Sequence, residues 1–159
     1  MIEDDLASLL RVATLVHPEH PEREAVFAER LHLYPAGCFV LASASSLSGY
    51  VISHPWWFKE PPALDTLLGA LPDEPTTYYV HDVALLPGAR GGGNASCIIE
   101  RLVAAARANG YTNISLVAVN NSVPFWERHA FRLVGDDALR AKLQSYGADA
   151  RYMARILGT

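Results

Sequence analysis

Between Thr76 and Asn120 the chain runs from a β-rich segment, "TTYYVHDVALL", through three consecutive glycines into a helical period and out into a second apolar segment, "ISLVAVN". Two strands joined through a helix pair in parallel with a right-handed crossover, so this order predicts a βαβ unit around which the rest must arrange. Ile98, Ile99, Leu102, Val103 and Ala106 set the helix at helical spacing, and Gly110 ends it as a left-handed cap would. The unbroken apolar character of the second strand is that of a strand covered on both faces.

The flanking segments are read in the same way. "IEDDLASLLRVATLV" and "PEREAVFAERLHLY" have the spacing of two helices, with "HPEHPE" between them as a loop. "CFVLASA" and "LSGYVISH" read as strands joined by a Ser-rich turn, "ALDTLLGAL" as a short helix and "ARYMARIL" as a last strand. With 159 residues, 50% of them hydrophobic, the expectation is one soluble domain over 1–159. A net charge of −4 without a Lys/Arg cluster argues against nucleic acid as a partner. Acids at the N-terminus, where a signal peptide has basic residues, and the lack of a membrane-length apolar run predict a cytoplasmic protein with no membrane partner. Cys38 and Cys97 are expected as two reduced, packed thiols, and no Cys/His cluster has metal-ligand spacing. His17 and His20 are read as loop residues, since Pro18 and Pro21 disrupt the helix that a metal-binding pair would need.

Three glycines at a strand-to-helix junction let backbone N–H groups turn toward an anion, and the helix N-terminus adds partial positive charge. The spacing excludes two common phosphate loops. A P-loop needs Gly-Lys-Ser/Thr, but Asn94-Ala95-Ser96 follows the glycines; the dinucleotide fingerprint fails because Ser96 stands at its third small position. Arg90-x-x-Gly93-x-Ala95 fits another pattern. It resembles the Arg/Gln-x-x-Gly-x-Gly/Ala signature of the GNAT N-acetyltransferase superfamily. "YYVHDVALLPGARGGGNA" is similar to that family's fourth strand and pyrophosphate loop, and "LVAVNNSVPFWERHAFRL" to its next strand, helix and closing Gly-Phe, here Ala130-Phe131. "VPFWERHAF" and "YVHDVALLP" look most like the arylalkylamine, serotonin-acetylating branch.

The resemblance implies an α/β (α+β) acyl-CoA N-acyltransferase fold. Its twisted sheet is mixed and mainly antiparallel, splayed between strands 4 and 5, with helices on both faces. Acetyl-CoA would lie in the splay as cosubstrate, with no metal. The implied cofactor-binding residues are Val83, Leu85, Arg90, Gly91, Gly92, Gly93, Asn94, Ala95, Ser96, Asn120 and Trp126. A backbone N–H near Leu85 would polarise the thioester carbonyl. For Asn120 a turn or cap role competes with contact to the pantetheine arm, and for Trp126 an ordinary core role competes with packing on it.

Acetyl transfer to an amine needs a base, because an amine is mostly ammonium at neutral pH, and a donor for the oxyanion. Alternation along the strand puts Tyr79, His81, Val83 and Leu85 on one face and Asp82 on the other. His81 is the candidate base, its imidazole suited to accept a proton near pH ~7, with a satisfied core histidine as the competing reading. Trp126 stands where many relatives have a tyrosine that protonates the departing thiolate, and an indole N–H is no usable acid. Tyr146 is a candidate acid by residue type alone. Trp56, Trp57, Phe58 and Tyr79 are the candidate acceptor-binding residues, in an aromatic pocket for a small hydrophobic or aromatic amine. No nucleophile elbow or convincing Cys/His pair is present in the sequence, so direct transfer is expected. A protein N-terminal or lysine acetyltransferase and a catalytically silent acyl-CoA-binding module are the competing functions; a homodimer is left open.

Overall fold

A computed structural model describes residues 1–43 and 46–158. Its core is a six-stranded sheet with strands β1 (Cys38–Ala42), β2 (Leu47–Trp56), β3 (Thr77–Leu85), β4 (Asn113–Ala118), β5 (Arg132–Leu133) and β6 (Arg151–Ile156). They lie in the order β1-β2-β3-β4-β6-β5. All neighbours are antiparallel except β3 and β4. The Ser-rich turn between β1 and β2 lies partly outside the described residues.

Helices cover both faces because their apolar positions recur on one side. In α1 (Leu6–Val16), Leu6, Leu9 and Val12 are buried, and in α2 (Glu24–Leu33), Val26, Phe27, Arg30 and Leu31. The first helix and Phe27 and Leu31 of the second pack with Tyr50, Ile52 and Ala84 of the sheet. On the opposite face, α3 (Asn94–Ala108) buries Ile99, Leu102, Val103 and Ala106 against Tyr78, Val80, Ile114 and Leu116. A fully buried aliphatic side chain contributes about 1.5–3 kcal/mol, so this central strip holds β3 and β4 together at their shared end. The short α4 (Val123–Arg128) adds Trp126 to that layer, and α5 (Asp137–Lys142) sits before β6.

The parallel pairing of β3 with β4 is confined to Tyr78↔Ile114, Tyr79↔Ser115 and Val80↔Leu116. Beyond Val80, β3 follows β2 as far as Leu85 while β4 follows β6. The sheet therefore opens into a V at the C-terminal ends of its parallel pair. Counted along this chain, the splay lies between the third and fourth strands; the strand that resemblance numbers fourth is third here.

Two expectations about local structure fail for tertiary reasons. "ALDTLLGAL" is not helical. The Glu29 carboxylate accepts from the backbone N–H groups of Leu68 (2.8 Å) and Gly69 (2.9 Å), and the buried Arg30 guanidinium donates to Thr66 O (2.8 Å). Side chains of α2 thus take the backbone groups that helical turns would have used. Cys97, expected to be packed, is exposed on α3, while Cys38 is buried; both thiols are free. Burial pushes the Cys38 thiol up to about 11.

The helices α3 and α4 end in the same way. Tyr111 N donates to Ala106 O and Gly110 N to Arg107 O; Phe131 N donates to Trp126 O and Ala130 N to Glu127 O. Both are Schellman closures, which place one residue in the left-handed region. Gly110 has φ +78° and Ala130 has φ +64°. The turn brings Phe131 back under Trp126, with ring centroids 5.2 Å apart.

Candidate active site

A cleft of about 850 Å³ occupies the splay. Its outer wall is the glycine loop. Gly91 and Gly93 have φ of +85° and +80°, and a Cβ at either would meet no atom within 4 Å, so open space lies beside both. Gly93 is the N-cap of α3, whose first N–H groups have no intrahelical partner. Asn94 Nδ2 donates to Ala89 O (3.0 Å) and Arg90 Nε to Leu85 O (3.0 Å), which ties the loop to the strand end. Left-handed glycines, free N–H groups and a 15-residue helix dipole suit a pyrophosphate. Val83, Leu85, Arg90, Gly91, Gly93, Ala95, Ser96, Asn120 and Trp126 all line the cleft; Gly92 and Asn94 are in the loop but are not among the lining residues.

The inner wall departs from simple strand alternation. In the β2–β3 register Ile52 opposes Asp82 while the next residue, Ser53, opposes Val80, which leaves His81 as the extra residue of a β-bulge. A bulge puts two side chains of one strand against one of the other and re-aims them. His81 and Asp82, expected on opposite faces, therefore both reach the side covered by α1 and α2. His81 Nε2 donates to Glu22 Oε2 at 3.0 Å, with both side chains almost fully buried. The other ring nitrogen, Nδ1, is buried without a protein partner. With Glu22 taking the Nε2 proton, the neutral ring carries its lone pair on Nδ1.

Asp82 accepts from the Tyr50 hydroxyl and from His17 Nε2 (3.1 Å). The same His17 N–H also faces Val83 O at 3.3 Å, and Asn120 Nδ2 donates to His17 Nδ1 at 3.3 Å. One imidazole thus spans the mouth of the splay from β3 to the turn after β4. Burial pushes the His17 imidazole down, but hydrogen bonding and charge from Asp82, with the Val83 carbonyl, outweigh it; Arg90 opposes them, and the net direction is up. Burial pushes the Asp82 carboxyl up, but His17 and Tyr50 outweigh it and hold it below the usual carboxylate range. The two directions agree, as for an ion pair. His17 and Arg90 also show that the carbonyls of Val83 and Leu85 face the splay rather than β2.

The remaining expected site residues are placed differently. Tyr146 lines the cleft, but its hydroxyl donates to Pro62 O at 2.6 Å, its carbonyl accepts from His20 Nε2 at 2.8 Å, and burial drives its acidity well down. Trp126 is mostly buried against Phe125 and Phe131. Trp56, Trp57, Phe58 and Tyr79 do not line the cleft. Trp56 pairs with Thr77, eight residues before Leu85 along β3, or roughly 27 Å at ~3.4 Å per residue. Trp56 and Tyr79 are buried with Leu139 and Tyr152, Phe58 packs on that cluster, and Trp57 is exposed.

Sequence reading missed Glu22, His17 and the second face of Asp82. The available signal was the density of imidazoles and carboxylates in "HPEHPE", between two helices bound for the same strand. A second depression of about 1010 Å³ lies by α5 and β6, away from the glycine loop and from these imidazoles. Chemically, the cleft combines an anion cradle, a free strand edge and two carboxylate-held histidines, the parts required for acyl transfer from a phosphate-bearing thioester.

Solved structures share this architecture. The GphF GNAT-like decarboxylase in complex with isobutyryl-CoA is 17% identical, with a TM-score of 0.78 over 99% of this chain and 97% of that one. The loading GNATL domain of CurA from Lyngbya majuscula is 14% identical, with a TM-score of 0.76 over 97% and 94%. Naa20 of Chaetomium thermophilum in complex with a bisubstrate analogue is 16% identical, with a TM-score of 0.71 over 99% and 84%. No curated protein matches the sequence. A model of the acetyltransferase (GNAT) family matches residues 4–131. That match spans most of the chain, including the glycine loop, the bulged strand and the turn of Phe131, and the chain belongs to the acetyltransferase (GNAT) family.

Proposed function

We propose that this chain is an acetyl-CoA-dependent N-acetyltransferase that transfers acetyl directly to a primary amine. The observation that carries this reading is the His81–Glu22 pair at the inner end of the splay, with Nδ1 of His81 left without a partner. Glu22 holds the ring in the tautomer that accepts a proton at Nδ1, and the neutral amine nitrogen gives up that proton as it attacks the thioester carbonyl. Proton abstraction by a positioned base contributes roughly 10²–10⁴-fold. The cradle of Gly91, Gly93 and α3 holds the pyrophosphate, and the splayed edge of β3 at Val83 and Leu85, through its N–H groups, guides the pantetheine arm toward His81.

Glu22, Asp82 and His20 line the cleft, and Trp56 and Trp57 do not. These groups favour a cationic amine head, and the aromatic acceptor pocket expected from Trp56, Trp57 and Phe58 is not part of this proposal. The test is thiol release from acetyl-CoA with a panel of small primary amines and peptides. Small amines that accelerate release support the reading. A preference for peptide N-termini or lysines makes the chain a protein acetyltransferase, and CoA binding without turnover on any acceptor makes it a silent binding module.

A further inference from the structure

His17 is the chemically loaded group that this proposal leaves unused. It lines the same cleft as His81 but at a different depth. Along β3 the order from the cradle inward is Leu85, then Val83, whose carbonyl His17 contacts, then His81, then Val80, where β4 rejoins. An acyl chain anchored by its phosphates at the cradle enters in that order. His17, which contacts Val83 and Asp82, consequently lies on the cradle side of His81.

The position held by Trp126 provides no acid, and the Tyr146 hydroxyl is committed to the Pro62 carbonyl. We infer, on the strength of the acetyl-transfer reading above, that His17 is the acid that protonates the departing CoA sulfur. Asp82 keeps the Nε2 proton of the imidazolium, and the Nδ1 proton is the one released. Asn120, the group facing Nδ1, has a side-chain amide that presents nitrogen to the neutral ring and can turn its oxygen to the charged one. The step balances. The acceptor reaches the acyl group as the neutral amine, its ammonium proton left to solvent; the nitrogen forms a bond to the acyl carbon and gives one N–H proton to Nδ1 of His81. The C–S bond breaks, its electron pair goes to sulfur, and sulfur takes the Nδ1 proton of His17. Solvent then returns a proton to His17 and removes one from His81. Two imidazoles in one cleft, each held by its own carboxylate, have the opposite assignments their surroundings favour: one with an open lone pair, the other paired to a carboxylate that stabilises its charged form.

The groups facing His17 are Asp82 on β3 with Tyr50 of β2 behind it, Arg90 beyond the strand end, and Asn120 after β4; His81 lies beside Asp82, and His20 and Glu22 share the cleft. Arg90 is the cation that opposes the charged state and Asp82 the anion that supports it.

The test uses CoA itself and needs no acceptor. An acid positioned at the sulfur also stabilises the thiolate of bound CoA, so the thiol of the complex, titrated by its ultraviolet absorbance, should ionise at least about one pH unit below the ordinary thiol value of ~8.5. In His17→Gln it should return to the value of free CoA, and in His81→Gln it should stay depressed. Asp82→Asn, which keeps the imidazole and removes its anion, should leave a smaller depression and move the basic limb of the kcat profile to lower pH. CoA that binds with an unshifted thiol, or a depression that survives His17→Gln, overturns the role of His17 while leaving the acetyltransferase reading intact. Failure of the wild-type chain to bind CoA in calorimetry overturns the acetyltransferase reading and this inference with it.

Discussion

His81 and Asp82 are neighbours in the chain, and both side chains lie on the α1–α2 side of β3, His81 bonded to Glu22 and Asp82 to His17 and Tyr50. Regular alternation would have sent Asp82 into the layer beneath α3, among Val80, Ile99 and Leu102. The bulge at Ile52/Ser53 prevents that and concentrates two carboxylate–imidazole pairs at one opening of the sheet.

The base assignment predicts a split between binding and turnover. His81→Ala should lower kcat by roughly 10²-fold or more with the acetyl-CoA dissociation constant within about twofold of wild type. Glu22→Gln should retain the ring but lose its orientation, giving an intermediate fall. Steady-state kinetics with calorimetry check both, and full activity in His81→Ala would return His81 to the core residues.

The cradle prediction rests on backbone conformation. Gly93 has φ +80°, a region that disfavours side chains by about 1–2 kcal/mol, and its open side is where a bulky anion would approach. Gly93→Val should abolish measurable acetyl-CoA binding while circular dichroism shows the fold retained. Arg90→Ala should weaken binding only several-fold, because the loop's attraction comes mainly from backbone dipoles. Isothermal titration separates the two.

The paired helix ends make a prediction about stability. Ala130 occupies with φ +64° the position that Gly110 occupies in the equivalent turn of α3. Ala130→Gly should raise stability by about 0.5–1 kcal/mol, since relief of left-handed strain exceeds the added freedom of the unfolded chain. Gly110→Ala should lower it by a similar amount. Urea denaturation of the two variants measures both signs.

Acid sensitivity should originate at His54. Burial, with a smaller effect of the neighbouring His81, pushes this imidazole from 6.5 down to about 3. A depressed histidine binds its proton in the unfolded chain first, so stability is retained above about pH 6.5 and falls as the pH drops from there toward 3. His17, shifted upward, has the opposite sign: its contribution is present below 6.5 and is lost as the pH rises through its raised value. His54→Gln should flatten the acidic slope of a stability-against-pH curve measured by denaturant midpoints.

The βαβ unit was legible in the chain because its signals are local. Ile99, Leu102, Val103 and Ala106 repeat at the helical period, Gly110 can take a positive φ, and Ile114 to Ala118 are apolar except for Ser115; each needs only its neighbours to be read. The glycine loop was legible for the same reason, since backbone freedom and helix polarity are properties of a short segment. The segment 63–71 has local helical character too, but Glu29 and Arg30, more than thirty residues away, take its backbone groups. Period-two alternation correctly ordered Tyr79 and His81, then broke at Asp82, because a bulge is a register adjustment between two strands and neither strand records it alone.

The inner part of the cleft belonged wholly to tertiary structure. Trp56, Trp57 and Phe58 had the composition of a pocket but fell at the far end of β3 once antiparallel pairing set Trp56 opposite Thr77. His17 and Glu22 read as residues of a polar loop, and entered the site only when α1 and α2 packed over the bulged strand. The sequence by itself determined the cradle and the crossover, where the deciding interactions span a few residues. Which side chains share the cleft was decided by contacts between segments up to about a hundred positions apart, such as His17 with Asn120. Those contacts depend on strand register and helix placement, quantities that the packing of the whole core sets.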